Sequence, residues 1–310
     1  MPEKQFPQWA FFQGKFVPIA EAKISIMSQV VNYGIGAFGG IRAYWNEEQQ
    51  QLYVFRIEKH IQRLVNSCKF FNNPLPYSPD DLKQIIIELL RREGYREDAY
   101  IRPLVYNATE DITPRLYNVQ FDFACFTKPL GNYIALQVRA CVSSWQRIDD
   151  NIIPARGKIV GGYINSALAK SEAHWNGYDE AIVLNADGHV AEGSAMNLFI
   201  VRDGTLITSQ VSDNILEGIT RATVLQLARE MGIPTQERAI DRTELYIADE
   251  VLFCGTGAQV AAVIEIDRRK IGDGKLGPIG KRLQDAYFDV VRGKVPAHRD
   301  WLTPVYEKTA

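Results

Sequence analysis

Along residues 10–18 apolar and polar positions alternate on either side of Gln13-Gly14-Lys15, which predicts a hairpin, and a short apolar run follows at 24–27. The period then changes. Over 56–69 the residues Ile57, Ile61, Leu64, Val65 and Cys68 share one helical stripe, and a second amphipathic helix is set out in full at 78–94. There Ser78 is the N-cap, Pro79 opens the first turn, Asp80 and Asp81 supply early acids, and Gly94 ends the helix. Leu82, Ile85, Ile86, Leu89 and Leu90 form its buried face, and strands are predicted at 99–106 and 118–126.

The breaker-rich stretch Lys128-Pro129-Leu130-Gly131-Asn132 is the best domain boundary, and the half beyond it is rich in strands. Strands at 182–185, 190–192, 197–201 and 206–208 are joined in part by Asp187-Gly188 and Asp203-Gly204, pairs suited to turns that need positive φ. Helices are predicted at 165–175, 220–231 and 241–247, the last opening on the capping box Asp241-x-x-Glu244. A length of 310 residues suits two domains: a small α+β domain at 1–128, a linker at 129–134 and a larger domain at 135–310.

Composition narrows the possible partners. With 35 basic and 37 acidic residues the formal net charge is −2, which argues against nucleic acid or an anionic membrane as partner. Cys68, Cys125, Cys141 and Cys254 are scattered without CxxC spacing, and His60, His174, His189 and His298 lack ligand spacing, so no metal site is expected. His60 and His174 read as packing or surface residues on helices. The opening stretch carries no signal-peptide run, no segment approaches a membrane span, and a cytoplasmic, reducing location is expected.

Gly272-x-Gly274-x-x-Gly277 follows an apolar strand and precedes a helix-like stretch, which imitates a dinucleotide fingerprint. A second parallel strand and an acid about 20 residues on are missing, so a glycine-rich turn is the better account. No GxSxG elbow is present.

Lys158 stands between Gly157 and Gly161-Gly162 in an otherwise apolar and aromatic loop. Glycines there let the backbone crowd against a bulky group, and a confined lysine amine can attack a carbonyl to form a Schiff base. Taken alone, a surface loop lysine is the default. A pyridoxal-phosphate (PLP) enzyme also needs an acid against the pyridine nitrogen, a phosphate cup and a trap for the substrate carboxylate. Glu192 lies on a predicted core strand, where an unpaired carboxylate is costly. Leu216-Glu217-Gly218-Ile219-Thr220-Arg221 puts a glycine turn at a helix start, which favours an anion, and Thr256 in Cys254-Gly255-Thr256-Gly257-Ala258 can add a hydroxyl. No one piece is specific, but their co-occurrence is.

On these residues the chain resembles the class IV, fold-type IV PLP aminotransferases, and more closely the branched-chain aminotransferases, from Tyr33 to about Arg292. The resemblance implies a larger domain with a β-barrel-like core that carries Lys158, and PLP bound between the domains. It implies Lys158 as Schiff-base lysine and proton shuttle, Glu192 on the pyridine nitrogen, and Arg63 of His60-x-x-Arg63-Leu64 as the phosphate arginine. The Ile219 and Thr220 N–H groups and Thr256 would also hold phosphate, and Tyr163 would border the ring. On residues alone, Arg63 equally suits a solvated helix flank.

Tyr100-Ile101-Arg102 resembles the family's Tyr-x-Arg pattern, in which the tyrosine helps hold the α-carboxylate and the arginine helps accept 2-oxoglutarate. Gly257 and Ala258 N–H groups would share the α-carboxylate. Tyr33, Phe38 and Tyr163 would wall an aliphatic pocket, with Gly40 and Arg42 among the substrate contacts; ordinary core packing is the other account of Tyr33 and Phe38. The implied reaction is ping-pong transamination between leucine, isoleucine or valine and 2-oxoglutarate, by a homodimer or higher homo-oligomer. Departures from the family pattern are Gly39 in place of an acid, Ala195-Met196 in place of Gly-Glu, and Gly257 in place of alanine. They keep a D-amino-acid or (R)-amine aminotransferase, or an aminodeoxychorismate lyase, as the alternative.

Overall fold

A computed structural model describes residues 7–73, 75–131 and 135–307. Its contacts divide the chain into two compact units: Met1–Gly131 with Gly157–Gly161 and Val290–Ala310, and Asn132–Arg156 with Gly162–Asp289. Part of the expected linker, residues 132–134, lies outside the described residues. Lys158, expected on the larger domain, counts with the first unit.

In the first unit the predicted hairpin is β1 (Trp9–Phe12) and β2 (Lys15–Pro18). Gln13 (φ 48°) and Gly14 (φ 82°) make its turn with both central residues left-handed, as a two-residue hairpin requires. The apolar run at 24–27 forms no strand, and Ile26 is 83% exposed. Next come α1 (Gln29–Tyr33), β3 (Gly36–Phe38), β4 (Ile41–Asn46) and β5 (Gln51–Phe55). The two predicted helices are α2 (Ile57–Lys69) and α3 (Pro79–Glu93). Ser78 caps α3 through a full capping box with Asp81, and Gly94 (φ 66°) ends it. The long strands β6 (Ala99–Asn107) and β7 (Phe121–Pro129) pair antiparallel along their whole length. With the C-terminal strand Leu302–Pro304 these make one eight-stranded sheet among the described residues.

Residues 158–161 run alongside β3 as a short extra strand. Phe38 N–H donates to the Lys158 carbonyl (3.0 Å), Val160 N–H to Gly36 O (2.8 Å) and Gly161 N–H to Gly34 O (3.0 Å). Satisfying these backbone groups on a sheet edge is what attaches the lysine segment to the first unit.

The second unit begins with β8 (Gln137–Val142), α4 (Tyr163–Trp175), β9 (Glu180–Leu184), β10 (Val190–Gly193), β11 (Asn197–Arg202) and β12 (Thr205–Thr208). It continues with α5 (Ile219–Glu230), β13 (Thr235–Glu237), β14 (Glu250–Gly255), β15 (Gln259–Ile266), β16 (Arg269–Lys270) and α6 (Pro278–Val291). Both Asp-Gly turns fall between strands: Gly188 has φ 86°, and Asp203 and Gly204 have φ 48° and 73°. The mixed sheet runs from β10 to β13 and curls until its ends meet. Val190 N–H donates to Ile240 O (2.8 Å), and His189 bridges Asp241 just past β13. Val138, Ile182, Leu198, Ile200, Phe253 and Val263 point into the enclosed core, while Ala181, Val183 and Ala191 face outward onto α4. This period-two division gives the barrel-like core.

Two sequence readings near the end of the chain acquire physical reasons. The capping box at 241 is present, but the helix it opens is a 3-10 stretch, Arg242–Ile247, because the chain must return to extended backbone at Ala248 before β14. The glycine-rich turn is not a cofactor loop. Gly277 leaves room for the Glu250 carboxylate, which accepts the N–H groups of Ile279 (2.9 Å) and Gly280 (2.7 Å) at the start of α6. The chain's own anion therefore fills the place a phosphate would take.

Candidate active site

In the second unit, Glu192 lies on β10 beside a register shift and is 3% exposed. Its Oε1 meets Arg147 Nη2 at 3.0 Å. Its Oε2 accepts Asn197 Nδ2 (3.0 Å) and the Leu216 N–H (3.2 Å). Burial penalises an ionised carboxylate, and these three partners offset that cost. Asn197 also donates to Leu216 O (2.9 Å), so one carboxamide ties the strand bearing Glu192 to the turn leading into α5. Gly218 is the N-cap of α5, with no side-chain cap, and a Cβ there would strike Asn197 Oδ1. Glycine is required at this point by the close approach, not by its φ of −72°.

The N-terminal turn of α5 thus presents the backbone of Ile219 and Thr220 beside the Glu192 corner, with Thr220 3% exposed. Asn197 pairs with Cys254 in register, which brings the end of β14 to the same corner, and Thr256, Gly257 and Ala258 form the turn into β15. Tyr163 opens α4. A buried acid paired with an arginine, a long helix with an uncapped N-terminus and a hydroxyl-bearing turn suit the protonated ring and phosphate of PLP. The second unit therefore brings Glu192, Ile219, Thr220 and Thr256 to one corner.

In the first unit, Lys158 lies opposite Phe38, its Nζ 5.1 Å from the centre of that ring. Its own N–H donates to Ser67 Oγ (3.2 Å) on α2, the helix that carries Arg63 and His60. His60 is 4% exposed and its Nδ1 has no hydrogen-bond partner. Burial first, then the charges of Arg63, Lys158 and Arg56, hold its pKa well below the usual 6.5. A neutral imidazole among three cations marks a place that favours an anion. The glycines around Lys158 serve packing within the first unit: a Cβ on Gly157 would lie 2.9 Å from Ile159 Cδ1 and 3.0 Å from a Phe70 ring carbon, while Gly161 lies against Gly34. The bulky group they were expected to admit is the chain itself.

Phe38, Gly40, Tyr100 and Arg102 also converge here. Arg102 Nη2 donates to the Tyr100 hydroxyl (2.8 Å), and its guanidinium sits 4.6 Å from the Phe38 ring centre and 5.2 Å from that of Tyr100. Gly40 has no Cβ because the Tyr100 hydroxyl lies against it. Arg42, 1% exposed, pairs with Tyr100 in register and donates to Leu130 O (2.5 Å) and to Gly131 O, while its Nε and Nη1 and the Arg102 Nε lack partners among the described residues. Gly39 stands where a Cβ would meet Pro103 Cγ at 2.6 Å, so the missing acid has no room in this backbone. Tyr33 is 40% exposed and its hydroxyl donates to Ile112 O.

The family model for amino-transferase class IV matches residues 36–266. The chain belongs to the class IV aminotransferases. A probable branched-chain-amino-acid aminotransferase of Aquifex aeolicus is 50% identical over 97% of each chain. The branched-chain aminotransferase of Thermoproteus uzoniensis, solved with norvaline, superposes with a TM-score of 0.93 at 44% identity, covering 96% of this chain and 99% of that one. A branched-chain enzyme from Thermobaculum terrenum in its PLP form gives a TM-score of 0.92 at 38% identity, over 97% and 99% of the two chains. Within the class IV aminotransferases, then, the chain is a member of the branched-chain group, with the fold-type IV architecture expected from its sequence.

Sequence reading missed Arg147. A buried acid calls for a counter-ion, but nothing in Ser143-Ser144-Trp145-Gln146-Arg147 marks which base supplies it. His60 was legible in principle, since it stands three residues before Arg63 and so shares its helix face.

Proposed function

We propose that the chain transfers the amino group of leucine, isoleucine and valine to 2-oxoglutarate with PLP as cofactor, by a ping-pong sequence. The observation that carries the cofactor is Glu192, a buried carboxylate held by Arg147, Asn197 and Leu216 next to the uncapped start of α5. When bound, PLP supplies an electron sink that lets the substrate Cα release its proton. Lys158 would hold the cofactor, and its amine would take the Cα proton and hand it on during the transfer. Glu192 keeps a proton on the ring nitrogen. Arg63, the Ile219 and Thr220 N–H groups and Thr256 hold the phosphate, and Tyr163 borders the ring.

Tyr100 and the N–H groups of Gly257 and Ala258 take the α-carboxylate. Phe38 and Tyr33 wall the side chain of the aliphatic donor, and Arg102, stacked on Phe38, turns its charge to the distal carboxylate of 2-oxoglutarate. Gly40 and Arg42 support the Tyr100 side of this pocket.

The chain works as a homodimer or higher homo-oligomer in the cytoplasm. Support for self-association comes from Ile26, Met27, Val31, Ile112 and Tyr117, all exposed on two segments joined by Gln29 N–H to Thr109 O (3.1 Å). No helix among the described residues is long and apolar enough to cross a membrane.

The test is the visible spectrum of the purified protein with PLP before and after L-leucine, repeated with Lys158→Ala. The wild type shows a PLP absorption band that leucine changes, and the variant transaminates at least about a hundredfold more slowly. A protein that takes up no PLP, or a variant as fast as wild type, refutes the assignment.

A further inference from the structure

We propose that Arg147 is a positioning residue for the reaction, one that fixes the Glu192 carboxylate in its ionised form and thereby keeps the proton on the cofactor's ring nitrogen. The inference rests on the reading above that Glu192 faces that nitrogen.

Arg147 is built for this task. Its Nη2 meets Glu192 Oε1 at 3.0 Å, and the two side chains are 15% and 4% exposed. The guanidinium is anchored from behind, Nε donating to Asn214 O (3.0 Å), and the Arg147 N–H donates to Leu184 O (2.8 Å). Asn214 holds that carbonyl in place from a left-handed conformation (φ 62°) at the end of a short 3-10 turn. Both ends of the arginine are therefore fixed before any cofactor arrives.

Other groups at this corner have other engagements. Arg221 is ion-paired with Glu237 (2.8 Å) and donates to Ser209 O (2.8 Å). The Cys254 thiol, opposite Asn197, is pushed up to about 12 by burial and is neutral. Asn197 and the Leu216 N–H hold Oε2 but carry no charge. Arg147 is the partner that makes Glu192 a weak base. A proton shared between a ring nitrogen and a carboxylate resides on the weaker acid's conjugate base, so a cation on the carboxylate drives it to the nitrogen. Without Arg147 the proton passes to Glu192, and the ring loses the charge that makes it an electron sink.

The experiment uses the enzyme loaded with PLP labelled with nitrogen-15 at the ring nitrogen, whose NMR shift reports its protonation directly. Wild type gives the protonated shift near neutral pH and Glu192→Gln the unprotonated one. Arg147→Gln is expected to move the ring nitrogen's titration down by about 1–3 pH units, a tenfold to thousandfold loss of proton affinity, and Arg147→Lys to restore most of it. A purely structural ion pair would lower the melting temperature of the apoprotein without moving the nitrogen signal. If Arg147→Gln titrates as wild type while Glu192→Gln has lost its proton, the inference about Arg147 is overturned and the role of Glu192 stands. If Glu192→Gln keeps its proton, the underlying reading fails instead. Should Arg147→Gln not fold, Arg147→Lys decides: a folded lysine variant with a protonated nitrogen supports the inference, and an unprotonated one overturns it.

Discussion

Two glycines with nearly the same backbone give a matched test of how Lys158 is held. Gly34 (φ 67°) ends α1 and Gly94 (φ 66°) ends α3, both in the left-handed conformation. Alanine at either site meets the same conformational cost, about 1–2 kcal/mol. At Gly94 the added Cβ finds nothing within 4 Å. At Gly34 it would lie 2.7 Å from Gly161 Cα and 2.9 Å from Gly161 N, backbone atoms that cannot rotate away.

Gly34→Ala therefore pushes the 158–161 segment off β3. The bonds at risk are Gly161 N–H to Gly34 O (3.0 Å) and Val160 N–H to Gly36 O (2.8 Å), each worth about 1 kcal/mol net. The expected loss is about 3–4 kcal/mol for Gly34→Ala against about 1–2 for Gly94→Ala, read from urea unfolding midpoints of the apoprotein. Displacing the lysine by about 1 Å is also expected to slow transamination by roughly a hundredfold, with Gly94→Ala near the wild-type rate. Equal stability losses together with equal rates in the two variants would refute the account of how the lysine segment is attached.

Glu250→Gln removes the charge that caps α6 and should cost about 1–2 kcal/mol by urea unfolding, without creating affinity for a dinucleotide in a titration monitored by calorimetry. Glu244 is held down to about 2, chiefly by its hydrogen bonds with Arg238, against an ordinary value of 4.5. Its folded pKa is the lower one, so its stabilisation is complete above about 4.5 and is lost as the pH falls through about 2; Glu244→Gln should flatten the stability profile over that window. Cys68, Cys125, Cys141 and Cys254 are all buried with thiol pKa values raised by burial, so a thiol reagent at pH 8 should label none of them until urea unfolds the chain.

Local chemistry made much of the fold legible. The hairpin at Gln13-Gly14, both ends of α3 and the Asp-Gly turns were written in residues whose preferences act within a few positions. The candidate residues of the second unit were legible for a similar reason: Glu192, Gly218-Ile219-Thr220 and Thr256 sit in short motifs whose spacing survives in the folded corner. Long-range pairing lies beyond such local reading: the run at 24–27 forms no strand, with Ile26 83% exposed, and the Tyr33 hydroxyl donates to Ile112 O.

The sequence by itself determined the family and most elements, and singled out Lys158 and Glu192 as candidates, because periodicity, caps and turns are local properties. Only the tertiary structure decided which partners those residues keep. It attached Lys158 to β3 of the first unit through Gly34 and Gly161, filled the α6 N-terminus with Glu250, and set Arg147 against Glu192 across 45 positions of chain. Such pairings are selected by burial: a charge or backbone group removed from water must find a partner, and which one it finds depends on how the sheets curl, not on its neighbours in sequence.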